Sequence, residues 1–503
     1  MTTLVDSTAD GLGSESATEA HGAGRLDPRV LARKVLFLLL AVTLAVGTGL
    51  WVHLLTDLPR ESAYMAAIVI LAAVLWLTEA LPLFATSLLV IGLMVLLLAN
   101  PMQWPGFGFL DPAASPNYRE IIGIMADPII VLFFGGFMLA SAIAKSGLDR
   151  QLAGLIVHPF GGSPYKTLAG VMLATALFSM WMSNTAATAM MIGIMLPMLH
   201  NAPKGEPFRK AMVLGVAFAA NIGGMGTPIG TPPNAIALGF LRKNLGIQVG
   251  FLEWMVIAVP LMLGLLALCW AVLALTFRPQ TPDLNLTPPK GKMKRTGWFV
   301  LVIFLITVVL WLTGQWTGLP SAVVALFPAV AFTVTALLNR DDLNQLEWNV
   351  LILIAGGLAL GWGLQEVGLA DSVVKQLKGD AGFLVMAAVL LVTLLMGNFM
   401  SHTAAANLVV PIGVTAFTAA GGVAVLTGAQ VENVVQVAIS IALASSIAMC
   451  FPMSTPPNAI AYATRQVEAR EMAVVGGIIG LVGIVFIIFG GDFVIRLVHG
   501  WFA

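Results

Sequence analysis

The chain alternates long apolar stretches with short polar ones, and the apolar stretches have the length of bilayer crossings, about 20 residues. In the first half they run roughly 35–55, 63–81, 82–99, 127–147, 164–200, 209–241 and 253–277. The second half continues with 297–317, 320–338, 349–367, 381–417, 431–464 and 472–497. Two of these, 164–200 and 381–417, are too long for one crossing and too short for two. Each is interrupted by a small polar triplet, Ser183-Asn184-Thr185 in one and Ser401-His402-Thr403 in the other. Two more, 209–241 and 431–464, carry the same heptapeptide Thr-Pro-Pro-Asn-Ala-Ile-Ala, starting at Thr231 and at Thr455. Pro233 and Pro457 have no backbone donor, and proline pushes the residue before it out of the helical region. The pattern therefore predicts an all-α polytopic membrane protein with about eleven spanning segments. It adds two re-entrant hairpins with the triplets at their tips and two helices broken at the double prolines.

The order of segments suggests an internal repeat. Ile129-Ile130-Val131-Leu132-Phe133-Phe134-Gly135-Gly136-Phe137 resembles Val350-Leu351-Ile352-Leu353-Ile354-Ala355-Gly356-Gly357-Leu358, and Gly147-Leu148 answers Gly368-Leu369. The glycine matches are offset by 221 residues, the triplets by 218 and the Pro-Pro motifs by 224. The second copy begins five spanning segments after the first, an odd number, so the copies are expected to be inverted in the membrane. Their hairpin tips and broken helices should then meet near the midplane, the architecture of alternating access. The expected divisions are a tail at 1–27, a first half at 33–278 and a basic linker at 279–296. The second half is 297–503. Hairpin 164–200 and broken helix 209–241 belong to the first half, 381–417 and 431–464 to the second. With the amino terminus cytoplasmic, inner connections collect 18 Lys and Arg and outer ones 7. That satisfies the positive-inside rule and puts the carboxyl terminus outside.

Composition narrows the classes. Of 503 residues 58% are hydrophobic and 10% charged, with a net charge of zero. A mixture so apolar belongs in a bilayer, and neutrality argues against nucleic acid as a partner. No stretch is left for a sizeable soluble domain, which removes most enzyme classes. Residues 1–27 are polar and rich in Gly, Ser, Ala and Thr, so a disordered tail is expected rather than a signal peptide. Cys269 and Cys450 fall in apolar segments, and no disulfide framework is expected. Six scattered histidines offer no metal-ligand spacing. The methionines at 180, 182, 190, 191 and 195 are read as packing. Glu79 lies near the end of its segment, where an interfacial role avoids the penalty of about 2.5–3.5 kcal/mol for a charge at the centre.

The polar interruptions supply hydroxyls, an amide, freed carbonyls and exposed helix N-termini. A helix N-terminus carries about half a positive charge with unpaired N–H donors. Freed carbonyls with Ser, Thr and Asn oxygens form a hard-oxygen shell suited to Na⁺. Asn234 and Asn458, just inside the following half-helices and next to Pro233 and Pro457, are placed to satisfy backbone groups. No Arg or Lys falls in the expected core. An anionic substrate would rely on dipoles, hydroxyls and a co-bound cation, and a neutral substrate stays open at this point. A single Ser-Asn-Thr in a membrane helix is usually back-bonded to the preceding turn, and a single Pro-Pro is often a kink. The matched recurrence of both is what points to a site.

With Trp76-Leu77-Thr78-Glu79-Ala80-Leu81-Pro82, Ser179-Met180-Trp181-Met182-Ser183-Asn184-Thr185 and both Thr-Pro-Pro-Asn motifs, the chain resembles the divalent anion:sodium symporter family from about Arg33 onward. These are the dicarboxylate and citrate carriers. The resemblance implies a homodimer in the lipid bilayer, a static scaffold domain and a transport domain that moves like an elevator. It implies that Ser183, Asn184, Thr185, Thr231 and Pro232 hold the carboxylates of a small dicarboxylate or citrate-like anion, with Ser401, Thr403, Thr455 and Pro456 opposite. It further implies one sodium site at Ser179, Ser183, Asn184 and Gly230. A second, at Ser401, His402 and Ser454, departs from the family pattern, with His402 where Asn is usual and Gly397 where Thr is frequent. His402 either hydrogen-bonds within the tip or supplies a positive charge in place of a second sodium, as would suit an exchanger without net sodium coupling. An anion channel, a sulfate carrier and an intramembrane hydrolase are the remaining alternatives. The last lacks a paired carboxylate or zinc spacing.

Overall fold

The computed structural model describes residues 28–111, 114–199, 202–203, 205–280, 294–369, 382–420 and 428–497. The expected tail at 1–27, most of the expected linker at 279–296 and the end of the chain after 497 lie outside the described residues. Every regular element among the described residues is helical. The chain runs α1 (Pro28–Leu55), α2 (Arg60–Thr78), α3 (Leu83–Met94), α4 (Pro128–Ser146) and α5 (Leu148–Val157). The next are α6 (Pro164–Ser179), α7 (Asn184–Met198), α8 (Phe208–Gly223), α9 (Pro232–Leu245) and α10 (Phe251–Thr276). The second half holds α11 (Arg295–Leu312), α12 (Ser321–Val334), α13 (Trp348–Glu366), α14 (Gly382–Phe399) and α15 (His402–Ala420). It closes with α16 (Gly428–Ser446), α17 (Pro456–Ala463) and α18 (Ala469–Leu497). Short helices such as Arg340–Asn344 lie in the connections.

Seven helices among the described residues are long and apolar enough to cross a bilayer, and five shorter apolar helices accompany them. Two expected crossings are among the shorter ones. The segment expected at 82–99 is α3 continued by a π-helical turn over Val95–Ala99. The one expected at 320–338 stops at Val334, with Ala336 in the left-handed region at φ 56°. The lipid-type surface is plain on α1, where Leu36, Leu39, Leu54 and Leu55 are exposed. A helix apolar all round with an uncovered face needs a hydrocarbon solvent.

At the centre lies α8, buried without a gap from Ala211 to Gly223. Its small residues allow that. A Cβ on Gly223 would stand 2.4 Å from the Cα of Ala176 on α6, so the two backbones touch. The paired glycines noticed as a repeat have the same use. A Cβ on Gly135 would stand 2.2 Å from the Ala325 carbonyl oxygen, which brings α4 against α12. On α13, a Cβ on Gly356 would meet Ser87 of α3 at 2.3 Å, and one on Gly357 would meet Asn407 of α15 at 1.7 Å. Lipid provides no hydrophobic drive between helices, so close backbone approach through small residues supplies the packing.

Candidate functional site

The double prolines start helices as well as breaking them. After α8 the chain makes one 3₁₀ turn (Gly224–Gly226), passes an extended Thr227 and a turn over 228–230 to an extended Thr231 (φ −152°, ψ 144°), and enters α9 on Pro232 and Pro233. Proline fits there because its missing N–H belongs to the first turn, which has no intrahelical acceptor. Thr455 (φ −146°, ψ 150°) precedes Pro456 and Pro457 of α17 in the same way, and its hydroxyl accepts from the Asn458 N–H at 3.2 Å. The break frees carbonyls, and the asparagines take them. Asn234 Nδ2 donates to the carbonyls of Gly224 (3.0 Å), Met225 (3.4 Å) and Thr227 (2.7 Å). Asn458 Nδ2 donates to Met449 (2.9 Å) and Phe451 (3.0 Å), the counterparts of Met225 and Thr227. Both asparagines are fully buried. The backbone-satisfying role expected of them is the one they have.

Asn221 of α8 joins the halves, a role not foreseen from sequence. Its Nδ2 donates to Thr455 Oγ1 (3.1 Å) and to Asn458 Oδ1 (3.2 Å). An asparagine inside an apolar segment was the only signal available. Packing across the halves is reciprocal. The helix opened by the first triplet, α7, lies against α17, and the helix opened by the second, α15, lies against α9.

Both triplets open helices. Ser183 caps α7 by accepting from the Ala186 N–H (3.3 Å), and Ser401 accepts from Ala404 N–H (3.2 Å) at the start of α15. Among the described residues, the hydroxyls of Thr185, Thr231 and Thr403 have no protein partner. Thr231 and Thr403 are buried. Hydroxyls and helix N-termini left open in this way are donors available to an anion.

Around Asn184 the structure gathers oxygens. Ser179 Oγ donates to the Ala220 carbonyl (2.7 Å) and lies 2.6 Å from Asn184 Oδ1. With its oxygen turned inward, the Asn184 amide faces acceptors. Turned over, its nitrogen donates to Gly230 O (3.3 Å), Ala220 O (3.2 Å) and Ser179 Oγ (2.6 Å). The protein alone is satisfied by the second orientation, whereas a hard cation in the cage is satisfied by the first. Only glycine fits at the crossing beneath, since a Cβ on Gly230 would stand 2.4 Å from the Gly224 carbonyl oxygen. Ser179, Asn184 and Gly230 are thus brought together, with the Ala220 carbonyl as an addition. The Ser183 hydroxyl is directed to its cap instead.

The corresponding place in the second half is built differently. His402 Nε2 hydrogen-bonds the Ala448 carbonyl at 2.8 Å, so the ring N–H occupies a carbonyl of the broken segment. Ser454 Oγ donates to Asn398 O (3.1 Å) and accepts from Phe451 N–H (3.1 Å), while Cys450 N–H donates to Asn398 Oδ1 (2.7 Å). Gly397 is small for a reason, since a Cβ there would stand 2.7 Å from the Ala448 Cβ.

The profile of the citrate transporter family (CitMHS) matches residues 73–431. The chain belongs to that family. The sodium-dependent dicarboxylate transporter SdcS of Staphylococcus saprophyticus is similar to it, 32% identical over 483 residues that cover 88% of each chain. SdcS of Staphylococcus aureus (strain bovine RF122 / ET3-1) is 32% identical over 508 residues, 93% of this chain and 92% of that one. The resemblance to the divalent anion:sodium symporters drawn from the motifs is therefore sound, and this member of the citrate transporter family is a transporter rather than an enzyme. The crystal structure of the Alcanivorax borkumensis YdaH transporter matches with a TM-score of 0.52 and 14% identity. The match covers 88% of this chain and 98% of that one, a likeness of fold.

Proposed function

We propose that this protein is a secondary active transporter of di- and tricarboxylate anions of the succinate, malate and citrate type, coupled to sodium. The observation that carries the proposal is the pair of matched helix breaks. Each is held by its own asparagine, and the unpartnered hydroxyls of Thr185, Thr231 and Thr403 stand on the helix starts around them. In this reading α6–α7 and α14–α15 are re-entrant hairpins in two inverted repeats, whose tips and broken helices form one site near the midplane. Ser183, Asn184, Thr185, Thr231 and Pro232 meet one end of the anion, and Ser401, Thr403, Thr455 and Pro456 the other. Sodium is a co-substrate held by Ser179, Asn184, Gly230 and the Ala220 carbonyl, with Ser183 at the edge. The convergence of four oxygen groups, from Ser179, Asn184, Gly230 and Ala220, supports that assignment. The hairpins and broken helices move as a transport domain against a scaffold that pairs with a second copy. The amino terminus is cytoplasmic in the inner membrane.

A second reading rests on His402. Its bond to Ala448 occupies the place where the repeat would put a second cation, which suits a dicarboxylate exchanger without net sodium flux. Succinate uptake into proteoliposomes, with and without a sodium gradient and with and without internal succinate, separates the two. Uptake into empty vesicles that follows sodium makes the protein a symporter. Uptake that needs internal succinate and ignores sodium makes it an exchanger. No uptake of succinate or citrate in any arrangement defeats both. Thr185→Ala and Thr403→Ala are expected to weaken uptake roughly tenfold or more, the scale of a lost hydrogen bond to a charged ligand, while the protein still assembles. Normal uptake by both variants would remove the site from consideration.

A further inference from the structure

Thr455, at the start of the second broken helix, carries a hydroxyl whose direction is set by its neighbours. Its Oγ1 accepts from the Asn458 N–H at 3.2 Å and from Asn221 Nδ2 at 3.1 Å. A hydroxyl oxygen has two lone pairs and one proton. Two incoming N–H groups fill its acceptor positions and leave the proton the one remaining tetrahedral direction. Among the described residues no protein acceptor takes that proton. Asn221 comes from α8, which packs against α17, and it is fully buried. Its other bond goes to Asn458 Oδ1 at 3.2 Å, while its own Oδ1 has no partner. Burying an unsatisfied oxygen is costly, and what offsets it here is the pair of bonds from the amide nitrogen.

The first half lacks this arrangement. The offset of 224 residues that relates the Pro-Pro motifs pairs Thr455 with Thr231, Asn458 with Asn234 and Asn221 with Ser445. Ser445 Oγ donates to the Ile441 carbonyl of its own helix at 3.0 Å. Thr231 makes no side-chain bond to its helix start, and Asn234 Oδ1 has no partner. The Thr231 hydroxyl is therefore free to turn, and the Thr455 hydroxyl is not. We propose that Asn221 is a positioning residue that holds Thr455 as a donor to the anion. One end of the substrate must then be an acceptor such as an ionised carboxylate, while Thr231 adapts to the other end. The inference rests on the carrier reading, because it needs an anion at Thr455.

The test is a double-variant cycle on the full-length protein in detergent. It is read by equilibrium binding of labelled succinate at one pH and one sodium concentration, with labelled citrate in its place if the parent binds only citrate. Asn221→Ser puts at 221 the residue type found at the matching position of the other half, and Thr455→Ala removes the hydroxyl. An unfixed hydroxyl spreads over about three staggered positions, so Asn221→Ser should weaken binding about three- to tenfold. Thr455→Ala should weaken it roughly tenfold or more, as for a lost bond to a charged group. Added to Thr455→Ala, Asn221→Ser should cost less than about twofold further, because two residues that act as one unit are not additive. A packing role for Asn221 predicts the same loss with and without the Thr455 hydroxyl. That outcome overturns the inference, and so does an affinity of Asn221→Ser within about twofold of the parent. Thr455→Ala within about twofold of the parent overturns it too, while leaving the carrier reading in place. A parent protein that binds neither succinate nor citrate overturns the carrier reading and this inference with it. Should Asn221→Ser fail to give a monodisperse protein, Asn221→Ala completes the same cycle.

Discussion

At the residue scale, the breaks are held chiefly by two asparagine amides, with Trp254 Nε1 also donating to the Met225 carbonyl at 2.9 Å. Asn234 Nδ2 serves three carbonyls that the end of α8 leaves without helical partners, and Asn458 Nδ2 serves two. A buried carbonyl without a donor costs about 1–3 kcal/mol, and no water reaches a fully buried site readily. Asn234→Ala should lower stability by roughly that amount. Asn234→Asp should be worse, because it turns an oxygen toward three oxygens. Detergent-solubilised thermal midpoints and the yield of monodisperse protein measure the order parent, Ala, Asp. An Asp variant as stable as the parent would mean that the break is held by something other than the amide. The roles of Gly397 and His402 are joined at this scale too. Both pack on Ala448, one by having no side chain and the other through its ring nitrogen.

At the element scale, the paired glycines on α4 and α13 set how close those helices come to their neighbours. Gly357 is the sharpest case. The Asn407 amide lies over it, donates to the Leu353 carbonyl at 3.0 Å, and leaves its own oxygen without a partner. A methyl group at 357 would need the space that amide occupies. Gly357→Ala should destabilise the protein by about 1–3 kcal/mol, the range for overpacking. Adding Asn407→Ala should recover part of the loss, since it removes both the clash and an unsatisfied oxygen. The double variant is compared with both single variants by thermal unfolding. If it is no more stable than Gly357→Ala alone, α13 and α15 do not meet through this pair.

At the scale of the whole molecule, contacts that join the proposed transport domain to the proposed scaffold must break in each cycle. Arg242 at the end of α9 pairs with Asp127, the N-cap of α4. Nearby, Asn244 Nδ2 donates to Gly361 O and Gln365 Nε2 to Asn244 O, each at 2.8 Å. Elevator movement predicts that Asp127→Cys with Arg242→Cys, bridged by a reversible thiol cross-linker in a Cys269→Ala, Cys450→Ala background, loses succinate uptake. Reductant should restore it. Full uptake by the cross-linked protein would mean that these two helices travel together. The aromatic stack of Trp181, Phe251 and Trp311 bridges the first hairpin tip, α10 and α11. It is a second such contact.

What was legible in the sequence is what is decided locally. Proline lacks a donor wherever it stands, so the two Thr-Pro-Pro-Asn copies marked where α9 and α17 would begin. Polar triplets inside over-long apolar runs marked where those runs are interrupted, and the capping by Ser183 and Ser401 of the helices that follow came from the structure. The long apolar runs required a bilayer before any contact was known. Crossing lengths were less legible, because α3 and α12 end through backbone conformations that apolar side chains do not announce. The tertiary structure decided the rest through contacts between distant positions. Ala220 enters the oxygen cage by its carbonyl, a group that every residue carries and no side chain reveals. Asn221 meets Thr455 because two halves of the chain fold onto each other. Trp348 packs on Phe134 while Asp342 holds Lys145, contacts that join α13 and its leading turn to α4 and exist only in three dimensions.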